Sequence, residues 1–212
     1  MVFFGIHPKT KRRFVVQSIE GGGWGGRPTE DGESATVSVC QGDVRNGPIE
    51  SIELKCPVLI EGRDLRMDSA GAGKYRGGFG LDVRIRNMVE GRWNFDNTRR
   101  TKCPPWGLNG GKDADYSDYL VKLPGQNDFE IAYGTRRMVP PDTEVIVRTG
   151  GGGGWGDPLE RDPESVRSDV SEELVSREAA REQYGVAVNV DLSLDGAATR
   201  QLRDKMRAAR AG

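Results

Sequence analysis

Nucleophile, general base and metal ligand are the first roles to look for in this 212-residue sequence, and the candidates are few. His7 is the single histidine, so a Ser-His or Cys-His nucleophile would depend on one imidazole close to the first residue. Cys40, Cys56 and Cys103 are an odd number without Cys-x-x-Cys spacing, which implies neither a disulfide framework nor a zinc knuckle. Reduced, structural thiols are expected. Carboxylates are plentiful, and Asp64, Asp68 and Asp82 lie beside glycine turns, where the ordinary role is turn capping. No complete catalytic set is visible in the side chains alone.

The 30 glycines raise phosphate binding as the next possibility. "NGGKD" fails the phosphate-loop pattern, because Trp106 stands where the first glycine belongs and Asp113 where a hydroxyl should meet magnesium. "SAGAGKY" fails in the same way, with Asp68 and Tyr75 at those places, and "GAGKYR" has Arg76 where a dinucleotide fingerprint needs its third glycine. Two runs stand apart, "GGGWGGRPTEDG" at Gly21–Gly32 and "GGGGGWGDPLERDP" at Gly150–Pro163. Ordering glycine costs more backbone entropy than ordering any other residue, so each run must answer a need for dihedral freedom or for a missing side chain. The expectation is positive φ at two or more of Gly150–Gly154, with Trp24 and Trp155 anchoring loops at a subunit interface or beside a cleft, or else two self-packed β turns.

Charge excludes some functions. With 31 basic and 32 acidic residues the formal net charge is −1, which offers no general field for nucleic acid or an anionic membrane. No apolar stretch approaches the ~20 residues of a membrane span. The basic residues of "MVFFGIHPKTKRR" follow a very short apolar patch, the reverse of a signal peptide, so the chain reads as cytoplasmic.

The elements that must position any site are mostly strands. "RRFVVQSIE", "ATVSVC", "IESIEL" and "PVLIEGRDL" are short apolar or alternating runs between turn residues, and Ile49–Leu54 is among the strands predicted. Leu81, Val83 and Ile85 alternate with Asp82, Arg84 and Arg86, then a turn near Glu90-Gly91 leads to Trp93 and Phe95, which reads as a hairpin. "DYLVKLP", "FEIAYGT" and "TEVIVRTG" follow as further strands. Strand-like "VFFGI" directly after Met1 predicts an exposed sheet edge that calls for a covering chain. After Gly156 the pattern turns helical: Asp162-Pro163 is a cap with proline at the first helical position, Ser176 and Gly185 bound another helix, and Asp195 opens a last one with Leu202, Met206 and Ala209 along a stripe. The fold class expected is mainly β (α+β): an antiparallel sandwich or barrel-like body over residues 1–156, with a helical C-terminal tail over 157–212.

Taken in order, "EGGGWGGRPTEDGESAT", "RNGPIESIEL", "LRMDSAGAGKYRGGFGL", "CPPWGLNGGKDA" and "RTGGGGGWGDPLERDPESVRSDV" with "VSREAAREQYGV" resemble the C-terminal part of the hydantoinase B/oxoprolinase family. "CQGDVRNGP" departs from the family's more usual Thr-Asn-Thr-type segment, and the hairpin around Trp93 is short. The resemblance implies that the His and Asp metal ligands lie in an N-terminal portion of the family outside these residues. It implies an N-terminal hydantoinase B-like half-chain and a hydantoinase A-like subunit as partners, with ATP, magnesium and a divalent metal held by those partner chains and none by this one. The reaction implied is ATP-dependent opening of a cyclic amide such as a hydantoin or 5-oxoproline, or ATP-dependent carboxylation of a ketone such as acetone or acetophenone; the alternative is a non-catalytic structural module that keeps the fold without the chemistry. Trp24, Arg27, Asp68, Arg76 and Trp155 are the residues expected to face the substrate or an interface. Asp68 and Arg76 are expected either to pair and pin their turn or to meet an anionic substrate, arginine being suited to bidentate oxyanion contact.

Overall fold

The computed structural model describes residues 1–17, 19–37, 47–95, 102–132 and 136–211. Within them are nine strands and four α-helices in the order β1 (Val2–Ile6), β2 (Arg13–Gln17), α1 (Ile49–Lys55), β3 (Val58–Leu65), β4 (Leu81–Asn87), β5 (Gly91–Asn94), β6 (Asp118–Lys122), β7 (Glu130–Ile131), β8 (Arg136–Val139), β9 (Thr143–Arg148), α2 (Pro163–Ser171), α3 (Arg177–Tyr184) and α4 (Gly196–Ala211). Two sheets, ordered β2-β1-β5-β8 and β3-β4-β9-β6-β7, are antiparallel at every strand pair. This is the antiparallel β body with C-terminal helices that the patterning predicts.

The sheets pack face to face, as alternation requires: one face of each strand is apolar and must be buried. The first sheet contributes Phe3, Phe14, Trp93 and Val139, and the second Val58, Leu81, Val83, Ile85, Tyr119, Val121, Val145 and Val147. Phe3 stacks on Trp93 at 4.6 Å between ring centroids, and Trp93 on Phe95 at 6.0 Å.

Several expectations are corrected. β4 and β5 are consecutive but do not form a hairpin: β4 pairs with β3 and β9, while β5 crosses to the other sheet and pairs with β1 and β8. Asn87, fully buried, holds this corner by donating its amide to the Val89 and Pro140 carbonyls, both at 2.8 Å. The N-terminal strand β1 is not an edge, since it is bonded to β2 on one side and β5 on the other. Ile49–Leu54 is helical, not extended. Pro48 precedes the first turn, and the Glu53 carboxylate accepts from the Ile60 N–H at 2.8 Å, which fastens α1 to β3. Val37 is the last described residue of the strand predicted at Ala35–Cys40, and Cys40 lies outside the described residues.

The helical caps form as the sequence predicts. Asp162 accepts from the Ser165 N–H with Pro163 in the first turn, Ser176 accepts from the Ala179 N–H, and Gly185 ends α3 in the left-handed region at φ 61°. Asp195 accepts from the Ala198 N–H at 2.9 Å. These helices build a second core, in which Val166, Val170, Val175, Ala180, Tyr184 and Val186 close over Ala72 and Phe79 of the glycine-rich segment.

Candidate functional site

Between the two cores lies a layer made almost entirely of backbone. Gly150 and Gly153 accept from the N–H groups of Gly23 and Gly26, at 3.0 and 2.8 Å. Gly152 donates to Gly78 and accepts from Gly71, and Trp155 exchanges two bonds with Tyr75. Gly154 donates to the Lys112 carbonyl and accepts from Leu108. The 150–155 segment thus reaches one neighbour at residues 150 and 153, a second at 152 and 155, and a third at 154. This three-residue repeat without bonds inside the segment is the habit of an extended left-handed helix of polyproline II type, and close packing of such chains admits only glycine.

The expected positive φ angles are absent from Gly150–Gly154. Positive φ occurs at Gly110, Gly125, Gly156 and Gly185. The need is for the missing side chain. A Cβ at Gly152 would stand 2.7 Å from the Gly25 nitrogen and still closer to the Trp24 carbonyl, and one at Gly77, Gly78, Gly151 or Gly153 would likewise collide with backbone.

The five residues singled out in the sequence have different fates. Trp24 and Trp155 sit half-buried in the lattice, their backbones bonded to Glu33 and Tyr75 respectively. Arg27 is exposed and pairs with Glu30 at 3.4 Å and Glu33 at 3.5 Å. Asp68 and Arg76 are not brought together. Asp68, in the left-handed region at φ 58°, accepts from the Ser176 N–H at 2.8 Å and so docks the start of α3. Arg76 turns to Asp169 of α2 at 3.1 Å, and its guanidinium lies 4.4 Å above the Phe79 ring. The physical reason is that Arg76 lies at the lattice's contact with the helices, where a buried carboxylate is available and Asp68 faces a different helix.

Arg76 belongs to a buried ionic cluster that sequence reasoning missed. Arg161, only 5% exposed, reaches Asp31 with both terminal nitrogens at 2.6 and 2.8 Å and Asp169 at 2.9 Å. Two guanidiniums therefore face two carboxylates, and the balance suits a buried site where an unpaired ion is costly. Burial disfavours the Arg161 charge, but the Asp31 and Asp169 carboxylates outweigh that and push its pKa up. Burial pushes the nearby Tyr184 phenol up as well, against the opposing pull of Arg161. The signal available in the sequence was Asp169 itself: it shares the inward stripe of α2 with Val166 and Val170, and a carboxylate there needs a partner.

A polar cleft of about 340 Å³ opens beside this cluster, lined by Glu30, Asp31, Lys74, Tyr75, Glu160 and Arg161 among others. It does not offer a metal site: among the described residues no group of three or more His, Cys, Asp or Glu is placed to hold an ion. His7 caps a turn, its Nδ1 accepting from the N–H groups of Lys9 and Thr10 at 3.2 and 3.3 Å. In the two glycine runs the N–H groups of Gly23, Gly26, Gly152 and Gly154 donate to carbonyls within the lattice, as do those of Gly71, Gly77 and Gly78 beside them.

A glycine lattice lies between a β-sandwich and a helical cap, and comparison with known proteins identifies the family with this arrangement. The family model of hydantoinase B/oxoprolinase matches residues 1–158, and the chain belongs to that family. It is 31% identical over 201 residues to the B subunit of a putative D-/L-hydantoinase of Pseudomonas sp. (strain NS671), covering 90% of this chain and 32% of that one. The beta subunit of caprolactamase from Pseudomonas jessenii is 32% identical over 190 residues, covering 87% of this chain and 32% of that one. Among solved structures, nucleotide-free acetone carboxylase superposes with a TM-score of 0.85 at 25% identity, over 99% of this chain and 33% of that one. The ATP-dependent caprolactamase of Pseudomonas jessenii superposes at 0.84 and 31%, over 96% and 36%. The chain spans about a third of the length of these relatives. No helix of the described residues is long and apolar enough to cross a membrane.

Proposed function

We propose that these residues form the scaffold portion of a hydantoinase B-type subunit, which acts with an N-terminal hydantoinase B-like portion and a hydantoinase A-like subunit in the ATP-dependent hydrolysis of a cyclic amide of hydantoin or 5-oxoproline type. The family match along 1–158, continuous with a superposition over 96% of the chain on an ATP-dependent caprolactamase, carries this reading. ATP, magnesium and a divalent metal are assigned to the partner portions, and the reaction couples ATP cleavage to addition of water across the ring C–N bond.

In this reading residues 1–156 are a glycine-rich β unit and 157–212 its helical tail. Trp24, Arg27 and Trp155 are the residues that face partner or substrate, presented by a lattice too crowded to deform. Asp68 and Arg76 face an interface inside the chain, where they fasten α3 and α2 to that lattice. The work of this portion is preorganisation: rigid backbone holds surface side chains in place without rearrangement at the moment of reaction.

ATP-dependent carboxylation of a ketone is the second reading, favoured by the superposition on acetone carboxylase. Reconstitution of the chain with its partner portions separates the two. ADP release that requires a hydantoin, 5-oxoproline or caprolactam supports hydrolysis, and release that requires acetone or acetophenone with bicarbonate supports carboxylation. A complex that cleaves ATP with neither set overturns both.

A further inference from the structure

The two outward faces of the sandwich differ in how their charges are balanced. On the β3-β4-β9-β6-β7 sheet the outward residues neutralise one another: Arg84 pairs with Asp64, Arg86 with Glu61 and Glu144, Lys122 with Glu144, and Arg148 with Asp82. Other outward residues of this face are apolar, Leu59, Leu120, Ile131 and Ile146, with Ile131 60% exposed, but its charges are paired. On the β2-β1-β5-β8 sheet the outward residues are Val2, Phe4 and Ile6 of β1, Arg13, Val15 and Gln17 of β2, Arg92 and Asn94 of β5, and Arg136 and Met138 of β8. None is acidic.

Register aligns Val15, Phe4, Arg92 and Met138 in one row across the four strands. Val15 is 55% exposed, Met138 59% and Ile6 60%. The Arg92 guanidinium lies 5.3 Å above the Phe4 ring, and Arg13 and Arg136 stand exposed at the margins. Three apolar side chains in one row with Arg92, flanked by Arg13 and Arg136 and with no acidic side chain among the outward residues named, resemble half of an interface: an apolar centre with a charged rim.

We infer that the outward face of the β2-β1-β5-β8 sheet docks against the N-terminal portion of the hydantoinase B-type subunit, and that the surface it meets there is apolar at its centre with an acidic rim. This rests on the function proposed above and names the face through which the assembly forms. Charge disfavours one occupant. A second copy of this chain would bring the three arginines against three others, which opposes self-pairing, whereas acidic residues would answer Arg13, Arg92 and Arg136. Length agrees, since the relatives carry about two thirds of their chain outside the matched region. An anionic lipid surface has the same charge, but this face lacks the Trp and Tyr residues that anchor proteins at a membrane interface.

The test is a binding titration between this chain and the N-terminal portion of the subunit from the same source, prepared as a separate polypeptide, at low and high salt. The triple variant Arg13→Glu, Arg92→Glu, Arg136→Glu is expected to bind at least about tenfold more weakly and to lose most of the salt dependence. The variant with lysine at the three positions should retain binding. Arg84→Gln, on the self-neutralised face, should bind as the unaltered chain does, and circular dichroism of each variant confirms the fold. Equal binding by the triple glutamate variant and the unaltered chain overturns the inference and leaves the proposed function standing. Failure of the unaltered chain to bind at any salt overturns both. Retention of protein binding by the triple variant, with loss of binding to phosphatidylserine vesicles, shows a membrane face and also overturns the inference.

Discussion

Substituting Gly152 by alanine tests whether the glycine runs serve to exclude side chains. The new Cβ would stand 2.7 Å from the Gly25 nitrogen and closer still to the Trp24 carbonyl. Both obstacles are backbone, so no rotamer change relieves them. Separating the segments weakens the two hydrogen bonds that join them, Gly23 N–H to Gly150 at 3.0 Å and Gly26 N–H to Gly153 at 2.8 Å. At about 1 kcal/mol each, with about 1–3 kcal/mol for overpacking, the loss is about 3–5 kcal/mol. For a chain of this size that lowers the melting temperature by about 10 °C or more. Gly25→Ala is the matched control from the other run: its Cβ would lie 3.6 Å from the Gly153 carbonyl oxygen, an ordinary contact, at an exposed position. Its expected change is within about 0.5 kcal/mol. Thermal melting of the two variants beside the unaltered chain is the assay. Melting temperatures that fall together would refute the reasoning, because collision and not lost flexibility is what separates the two sites.

Two further outcomes follow from the helical cap. Asp169→Asn leaves Arg161 and Arg76 with Asp31 as the remaining carboxylate of the cluster, so it should cost about 3–5 kcal/mol. Hydrogen exchange should then rise across 163–194 more than in β4 and β9, and uniform loosening would contradict the assignment. For Asp157, burial disfavours the charged form, but the Leu159 N–H and the Arg210 guanidinium outweigh it and hold the carboxyl below its usual range. Because the folded pKa is depressed, its contribution is present above the unfolded carboxylate value of about 3.9 and is lost as pH falls through the folded value. Exchange of the amides of 203–210 should therefore rise over that acidic window, and Asp157→Asn should produce the same rise at neutral pH. An α4 indifferent to both changes would show that the Arg210 contact, one guanidinium nitrogen 2.9 Å from both Asp157 carboxylate oxygens, does not hold it.

How much of this was legible depends on whether the determining interaction is local. β4 and β9 were readable because each alternates strictly, and the caps at Asp162, Ser176, Gly185 and Asp195 because each acts within its own turn. α1 was misread through its β-branched isoleucines, although Ile49, Ile52 and Cys56 fall at helical spacing and Ile52 and Cys56 pack against the core. The Glu90-Gly91 turn was visible, but pairing across it was not, because β5 pairs with β1, where Trp93 stacks on Phe3, a residue distant in sequence. The glycine runs announced themselves, yet their purpose depends on which backbones approach, and segments as distant as Gly23, Gly71 and Lys112 converge on 150–155. The Asp31–Arg161–Asp169–Arg76 cluster joins positions separated by up to 130 residues, beyond any local pattern.

The proposal that this portion is required for ATP-coupled chemistry, without itself holding the nucleotide, is tested most directly by ADP release. It is to be measured with a cyclic amide present, from the partner portions alone, from this chain alone, and from the two combined. Substrate-dependent ADP release is expected only in the combination, with one ring opened per ATP cleaved. Release at the same rate from the partner portions without this chain, or from this chain without them, would contradict the proposal.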